Sequence, residues 1–140
     1  MKVKIKRTHP KAMIPCYAKS GDACLDLFAV SKDADDHGNA VFDTGIAVEI
    51  PPGYVGLVFP RSSISKTMHS LRNSVGVIDS GYRGSIILKF WGGRGENHSY
   101  KIGDRIGQIM IIPHPKVEFC EVEELTSSYR GADGFGSTGE

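Results

Sequence analysis

Ile46-Ala47-Val48-Glu49-Ile50-Pro51-Pro52-Gly53-Tyr54-Val55-Gly56-Leu57-Val58-Phe59 is the stretch that decides the fold class. Val48 and Ile50, then Val55, Leu57 and Phe59, put apolar side chains at every second position. That period belongs to a strand with two unlike faces. Pro51-Pro52-Gly53 separates the two runs. Proline withholds a backbone donor and glycine enters turns freely, so the insert reads as a turn between strands.

The same grammar continues in both directions. Residues 41–50, 54–59, 74–78, 85–91, 105–112 and 117–122 read as strands rich in Val, Ile and Phe, and Asp79-Ser80-Gly81 marks another turn. Near the N-terminus Val3 and Ile5 alternate with lysines, as in a short edge strand, and Leu25 to Val30 is a further apolar run. Residues 31–39 are polar and turn-rich and read as a surface loop. No long stretch carries a helical period; residues 62–68 are the place for a short helix. The expectation is an all-β chain, a sandwich, jelly roll or barrel, with no repeat and no second domain.

Composition narrows the function classes. The chain has 140 residues, 40 % of them hydrophobic and 24 % charged, with a formal net charge of +1. That is one domain with an ordinary core and no global field for nucleic acid, so any anion site is local. Cys16, Cys24 and Cys120 have no paired or metal-like spacing, which points to free thiols in a reducing cytosol. Asp33, Asp35, Asp36 and His37 lack an apolar frame and read as a solvated loop, not a metal cluster. The N-terminus has no apolar signal region, and no run approaches the roughly 18 apolar residues of a membrane helix. The expected location is the cytoplasm, or the host cytoplasm for a viral gene.

Three segments carry the types of residue that chemistry needs. Pro60-Arg61-Ser62-Ser63 joins a strand to the short helix, where hydroxyls, N–H groups and a guanidinium suit a phosphate. Asn73 to Gly84 holds one carboxylate, Asp79, after Val77-Ile78. It suits a residue that orients and deprotonates water, while Gly76 lets a flat base approach the backbone and Tyr82 packs on a sugar. An ordinary hairpin whose aspartate caps the turn fits the same residues. In Gly103 to Gln108, Asp104 and Arg105 are neighbours that pair at the surface, and Gln108 is an amide needing partners. The tail, Tyr129 to Glu140, is glycine-rich but contains Arg130, Phe135, Ser137 and Thr138. It is either a frayed end or an arm that orders over a triphosphate.

Together with Ala23 to Leu27, these segments in this order resemble the trimeric dUTPases over nearly the whole chain. The hairpin Gly76 to Gly84 and the tail Arg130 to Gly139 are the specific matches. The resemblance implies a distorted jelly roll of the β-clip type, a homotrimer with three shared sites and a swapped C-terminal arm. Residues 1–127 would form the catalytic domain, and 128–140 the flexible arm that closes over a neighbouring subunit's site. The implied activity is hydrolysis of dUTP to dUMP and pyrophosphate, which keeps uracil out of DNA and supplies dUMP for thymidylate. By the same resemblance Asp79 activates the water that attacks the α-phosphorus. Tyr82 excludes ribose, and Asn73 with the backbone of Gly76, Val77 and Ile78 reads uracil. Arg61, Ser62, Ser63 and Gln108 hold phosphates. Phe135 stacks on uracil, and Arg130, Gly136, Ser137 and Thr138 engage the γ end. Mg²⁺ is bound chiefly by triphosphate and water, with Asp26 at most a water-mediated contact. Cys24, Gly81 and Asp133 depart from the family pattern without removing any of these residues.

Three other readings share features with this one; in the blandest, a viral-capsid-like or structural jelly roll, the glycine-rich tail with Phe135 and Arg130 would have no purpose. A dCTP deaminase would need a glutamate in the strand after the hairpin, where this chain has Lys89. A nucleotide- or protein-binding module without catalysis would not require Asp79, Arg130 and Phe135 together. Neither nucleic acid nor membrane is an expected partner, and the sequence leaves room for an additional protein partner.

Overall fold

The alternating sequence becomes ten short strands and one 3-10 helix in a computed structural model, which describes residues 1–92 and 99–134. The strands are β1 (Lys4–Arg7), β2 (Leu25–Phe28), β3 (Ser31–Ala34), β4 (Ala40–Asp43), β5 (Ile46–Glu49), β6 (Tyr54–Phe59), β7 (His69–Leu71), β8 (Gly76–Ile78), β9 (Ile87–Gly92) and β10 (Arg105–Pro113). The 3-10 helix spans Ser62–Lys66. All named pairings are antiparallel, in sheets of order β1-β5, β2-β10-β6-β8 and β3-β4-β9-β7. The chain is all-β, a distorted jelly roll. Among the described residues no helix is long and apolar enough to cross a membrane.

The two four-stranded sheets face each other across Leu27, Phe42, Ile46, Ile50, Ile86, Leu88, Phe90 and Ile106, all fully buried. β9 shows the mechanism plainly: Leu88 and Phe90 are buried while Ile87, Lys89 and Trp91 are exposed. Gly107 sets the spacing between the sheets. A Cβ there would collide with the Leu88 side chain and lie 3.2 Å from the Phe59 carbonyl oxygen. In β6 the buried row is Gly56 and Val58, whereas Val55, Leu57 and Phe59 are only half-buried. A strand with an apolar row on each face is suited to cover on both sides.

Several expected elements change. Residues 41–50 do not form one strand, because Thr44 and Gly45 break it into β4 and β5. Gly45 has φ +65°, and a Cβ there would lie 2.7 Å from that of His9. Residues 31–39 are not all loop: β3 pairs with β4, and Asp35 closes the hairpin by accepting from Asn39 N–H, Asn39 Nδ2 and Lys89 Nζ. Those bonds, from Asn39 first, hold the Asp35 carboxyl well below the usual carboxylate range. Residues 117–122 are not a strand. Val117, Phe119 and Val122 are exposed, Phe119 at 95 %, and Leu125 and Tyr129 follow them into solvent. β7 has no expected counterpart; with three residues it is too short to display a period.

Candidate active site

The order β2-β10-β6-β8 lines up two groups of functional side chains on one sheet. On neighbouring strands Asp26 faces Gln108, and Gln108 faces Phe59. β6 then leaves the sheet through Pro60 into Arg61, the N-cap residue of the 3-10 helix. Asp26 is buried and accepts two charge-assisted hydrogen bonds, from Arg61 Nε at 2.7 Å and Arg105 Nη1 at 3.2 Å. Arg61 Nη1 also donates to Ser63 Oγ at 3.3 Å, and Gln108 Nε2 donates to the Pro60 carbonyl at 3.0 Å. A buried carboxylate that aims two guanidiniums at one edge presents fixed positive charge and N–H donors to an anion. Arg61, Ser63 and Gln108 thus lie together, with the more exposed Ser62 on the helix start.

Arg105 belongs to this group and was expected elsewhere, paired with Asp104. Asp104 instead accepts from the Lys101 N–H at 2.8 Å. The cause is an irregularity in β10: the register against β2 shifts between Arg105 and Gly107. In a regular strand positions 105 and 108 point to opposite faces; one inserted residue puts Arg105 on the face of Gln108 and Asp26. Behind the cluster, Tyr100 and His69 stack with centroids 5.1 Å apart at 4°, and His69 Nε2 accepts from the Tyr100 N–H. Burial raises the Tyr100 phenol, partly opposed by the Ser63 hydroxyl and the Arg61 charge. Burial, with the charge of Lys32, lowers the His69 imidazole.

At the other end of the sheet, β8 pairs with β6 through Gly56↔Ile78 and Val58↔Gly76. β8 is the last strand in its order, and its outer edge pairs with no described strand. Those free backbone donors and acceptors are a template for a flat polar ligand. Gly76 is needed here, since a Cβ would sit 3.2 Å from both the Asn73 amide nitrogen and Val58 Cβ. Asp79 follows Ile78, and a tight turn returns the Tyr82 N–H to the Asp79 carbonyl at 3.0 Å. Val77, Ile78, Asp79, Tyr82, Ser85 and Ile87 line a cavity of about 230 Å³. Asp79 is exposed and forms no salt bridge among the described residues.

Of the remaining expected residues, the described one, Arg130, is not brought into either group. Arg130 is exposed and its Nε donates to the Asp133 carbonyl at 3.0 Å. Phe135, Gly136, Ser137 and Thr138 lie outside the described residues. Cys24 lies beside the Asp26 cluster; burial, then Asp22 and Asp26, raises its thiol, which disfavours the reactive thiolate.

The dUTPase family model matches residues 10–139 of the chain that carries this cluster and this pocket. The chain belongs to the dUTPase family. Among its relatives is the deoxyuridine 5'-triphosphate nucleotidohydrolase of Escherichia phage T5, 40 % identical, with 98 % of each chain covered. The enzyme of the same name from Wolinella succinogenes is 39 % identical over 100 % of this chain and 95 % of its own. The solved structure of a mutant dUTPase from Staphylococcus bacteriophage 80alpha with dUpNHpp superposes with a TM-score of 0.84, at 28 % identity and 99 % coverage of both chains. A mutant dUTPase of phage phi11 of S. aureus, described with a structural Mg(II) ion, gives 0.74 at 26 % identity over 89 % of this chain and 98 % of its own.

Proposed function

We propose that this chain hydrolyses dUTP to dUMP and pyrophosphate. The observation that carries the reading is the exposed Asp79 beside Tyr82 on a free strand edge, in a member of the dUTPase family. Asp79 accepts a proton from the water that attacks the α-phosphorus. Arg61, Ser62, Ser63 and Gln108 hold the phosphate oxygens and stabilise charge that grows in the transition state. The edge of Gly76, Val77 and Ile78, with the Asn73 amide, reads uracil, because cytosine would leave main-chain donors and acceptors unpaired. Tyr82 crowds the sugar and excludes a 2′-hydroxyl.

The two groups sit too far apart to serve one phosphate from a single chain. Asp79 lies just past the Gly56 register position and Arg61 just past Phe59, roughly 15 Å or more along the strand direction at about 3.4 Å per residue. That separation supports a site shared between copies, as in a homotrimer. The half-buried row Val55, Leu57 and Phe59 and the exposed Phe119, Leu125 and Tyr129 supply apolar surface for such an assembly. In this reading residues 1–127 form the body and 128–140 the arm, whose Arg130, Phe135, Gly136, Ser137 and Thr138 close over a neighbour's nucleotide.

Mg²⁺ fits this donor set through the substrate. Among the described residues no group of three His, Cys, Asp or Glu side chains is placed to hold a metal. Both Asp26 oxygens are engaged by guanidiniums, which favours a water-mediated contact of Asp26 with the metal over direct ligation. When bound by triphosphate oxygens and water, Mg²⁺ neutralises phosphate charge. The reaction is placed in the cytoplasm, or the host cytoplasm for a viral gene.

The test is pyrophosphate release with Mg²⁺, offering dUTP, UTP, dTTP and dCTP separately. Release from dUTP alone is expected. Release from none of them, or ammonia from dCTP, would sink the reading.

A further inference from the structure

We infer that Asp43 and Ser85 are positioning residues for Tyr82, and so help set the preference for deoxyribose over ribose. The inference rests on the proposed role of Tyr82 and adds two residues distant from it in function. The Tyr82 hydroxyl donates to the Ser85 carbonyl at 2.9 Å. This bond folds the ring back over Gly84, where a Cβ would collide with the ring itself. The wall of the Asp79 pocket is therefore fixed at two points: the Tyr82 N–H on the Asp79 carbonyl, and the phenol on Ser85.

Ser85 is itself anchored from outside the segment that follows β8. Its hydroxyl donates to Asp43 Oδ1, at the end of β4, and accepts from Thr8 Oγ1 at 3.3 Å. The same Asp43 oxygen accepts the Gly45 N–H at 2.7 Å, which ties the carboxylate to the β4–β5 turn. The next residue, Ile86, is clamped to that turn: its N–H donates to the Ile46 carbonyl at 2.8 Å, and its carbonyl accepts from both Thr44 N–H and Thr44 Oγ1. Asp43 and Ser85 are half-buried, so these bonds are only partly shared with water. The β4–β5 turn belongs to the fold's core and the tyrosine to its surface; Ser85 is the joint between them. A ring held by a rigid joint excludes a 2′-hydroxyl better than one that can tilt away.

The experiment measures kcat/KM for dUTP and for UTP in the full-length protein with Mg²⁺, for wild type, Ser85→Ala, Asp43→Asn, Tyr82→Phe and the Tyr82→Phe/Ser85→Ala double variant. Thermal melting of each protein is followed in parallel. The expected result is a dUTP-to-UTP ratio of kcat/KM lowered about tenfold in Ser85→Ala and in Tyr82→Phe, with UTP gaining relative to dUTP. The double variant should then lose no more than either single one, because both break one linkage. Ser85→Thr, which keeps the hydroxyl, should restore the ratio. A Ser85→Ala protein that melts lower but keeps the wild-type ratio overturns the proposal, as does an additive double variant. Wild type with no preference for dUTP would refute the parent reading first, and this one with it.

Discussion

The two ends of the β2-β10-β6-β8 sheet are organised by opposite means. At the Arg61 end, side chains from β2, β10 and the exit of β6 converge on Asp26, joining residues 35 and 79 positions apart in the chain. At the Asp79 end, Asn73, Gly76, Asp79, Tyr82 and Ser85 come from one short stretch of chain, β8 and the turn after it, and not from the paired hairpin the sequence suggests, since β8 pairs only with β6 and β9 lies in the other sheet. The first is a long-range electrostatic assembly around a buried charge. The second is local geometry that leaves its carboxylate free. A group that binds anions benefits from charges fixed in advance, whereas a group that moves a proton must stay unpaired until substrate arrives.

Removing the free carboxylate probes that contrast most severely. Asp79→Asn should lower kcat by about 10²- to 10⁴-fold while a non-hydrolysable dUTP analogue still binds. Equal loss of binding, seen by calorimetry, would mean that Asp79 holds the turn after β8 together instead. Deletion of residues 130–140 is next in size. Turnover should drop by about 10²-fold through lost closure, with the melting temperature nearly unchanged, since the described part of the tail is exposed. Unfolding of the truncated protein would make the tail structural.

Asp26→Asn attacks the other end and should act on stability first. It removes the negative charge that Arg61 and Arg105 share and replaces one of the two acceptor oxygens with a donor. Because those side chains are 24 % and 48 % exposed, solvent softens the cost to about 1–2 kcal/mol. Urea denaturation gives the number, and KM for dUTP should rise with it. An unchanged midpoint would dissolve the distinction between a pre-assembled end and a local one.

The smallest effect is a pH dependence behind the Arg61 cluster. His69 is harder to protonate folded than unfolded, because it is buried and its Nε2 already accepts from Tyr100 N–H. The unfolded chain therefore binds the extra proton first as pH falls through about 6.5, and folding stability should decline below that value. His69→Leu should flatten this part of the curve of melting temperature against pH. An equal decline in the variant would assign the effect to other groups.

The residue types at the Asp79 end were legible in sequence because they are adjacent: a glycine, a carboxylate and a tyrosine lie between Gly76 and Tyr82, whereas the free outer edge of β8 follows from the sheet order alone. Arg61 was legible as a cation at a strand exit, but its partners were not. Arg105 was misread as a surface partner of Asp104, because the register shift that turns it toward Asp26 leaves no mark in residue type. Residues 117–122 were misread as a strand for the converse reason. Their alternation is real, yet a strand needs a partner, and the described chain provides none there.

By itself the sequence determined the all-β class, the turns at Pro51-Pro52-Gly53 and Asp79-Ser80-Gly81, and the chemistry available in each motif. Period, turn conformation and side-chain type are properties of neighbouring residues. Only the tertiary structure decided that Asp26, Arg61 and Arg105 share one carboxylate, that β4 and β5 part at Gly45, and that Ser85 ties Tyr82 to the β4–β5 turn. Those facts depend on strand register and on contacts between segments far apart in the chain. They are settled by how the whole core packs, since a one-residue shift in register would turn each of these side chains to the other face.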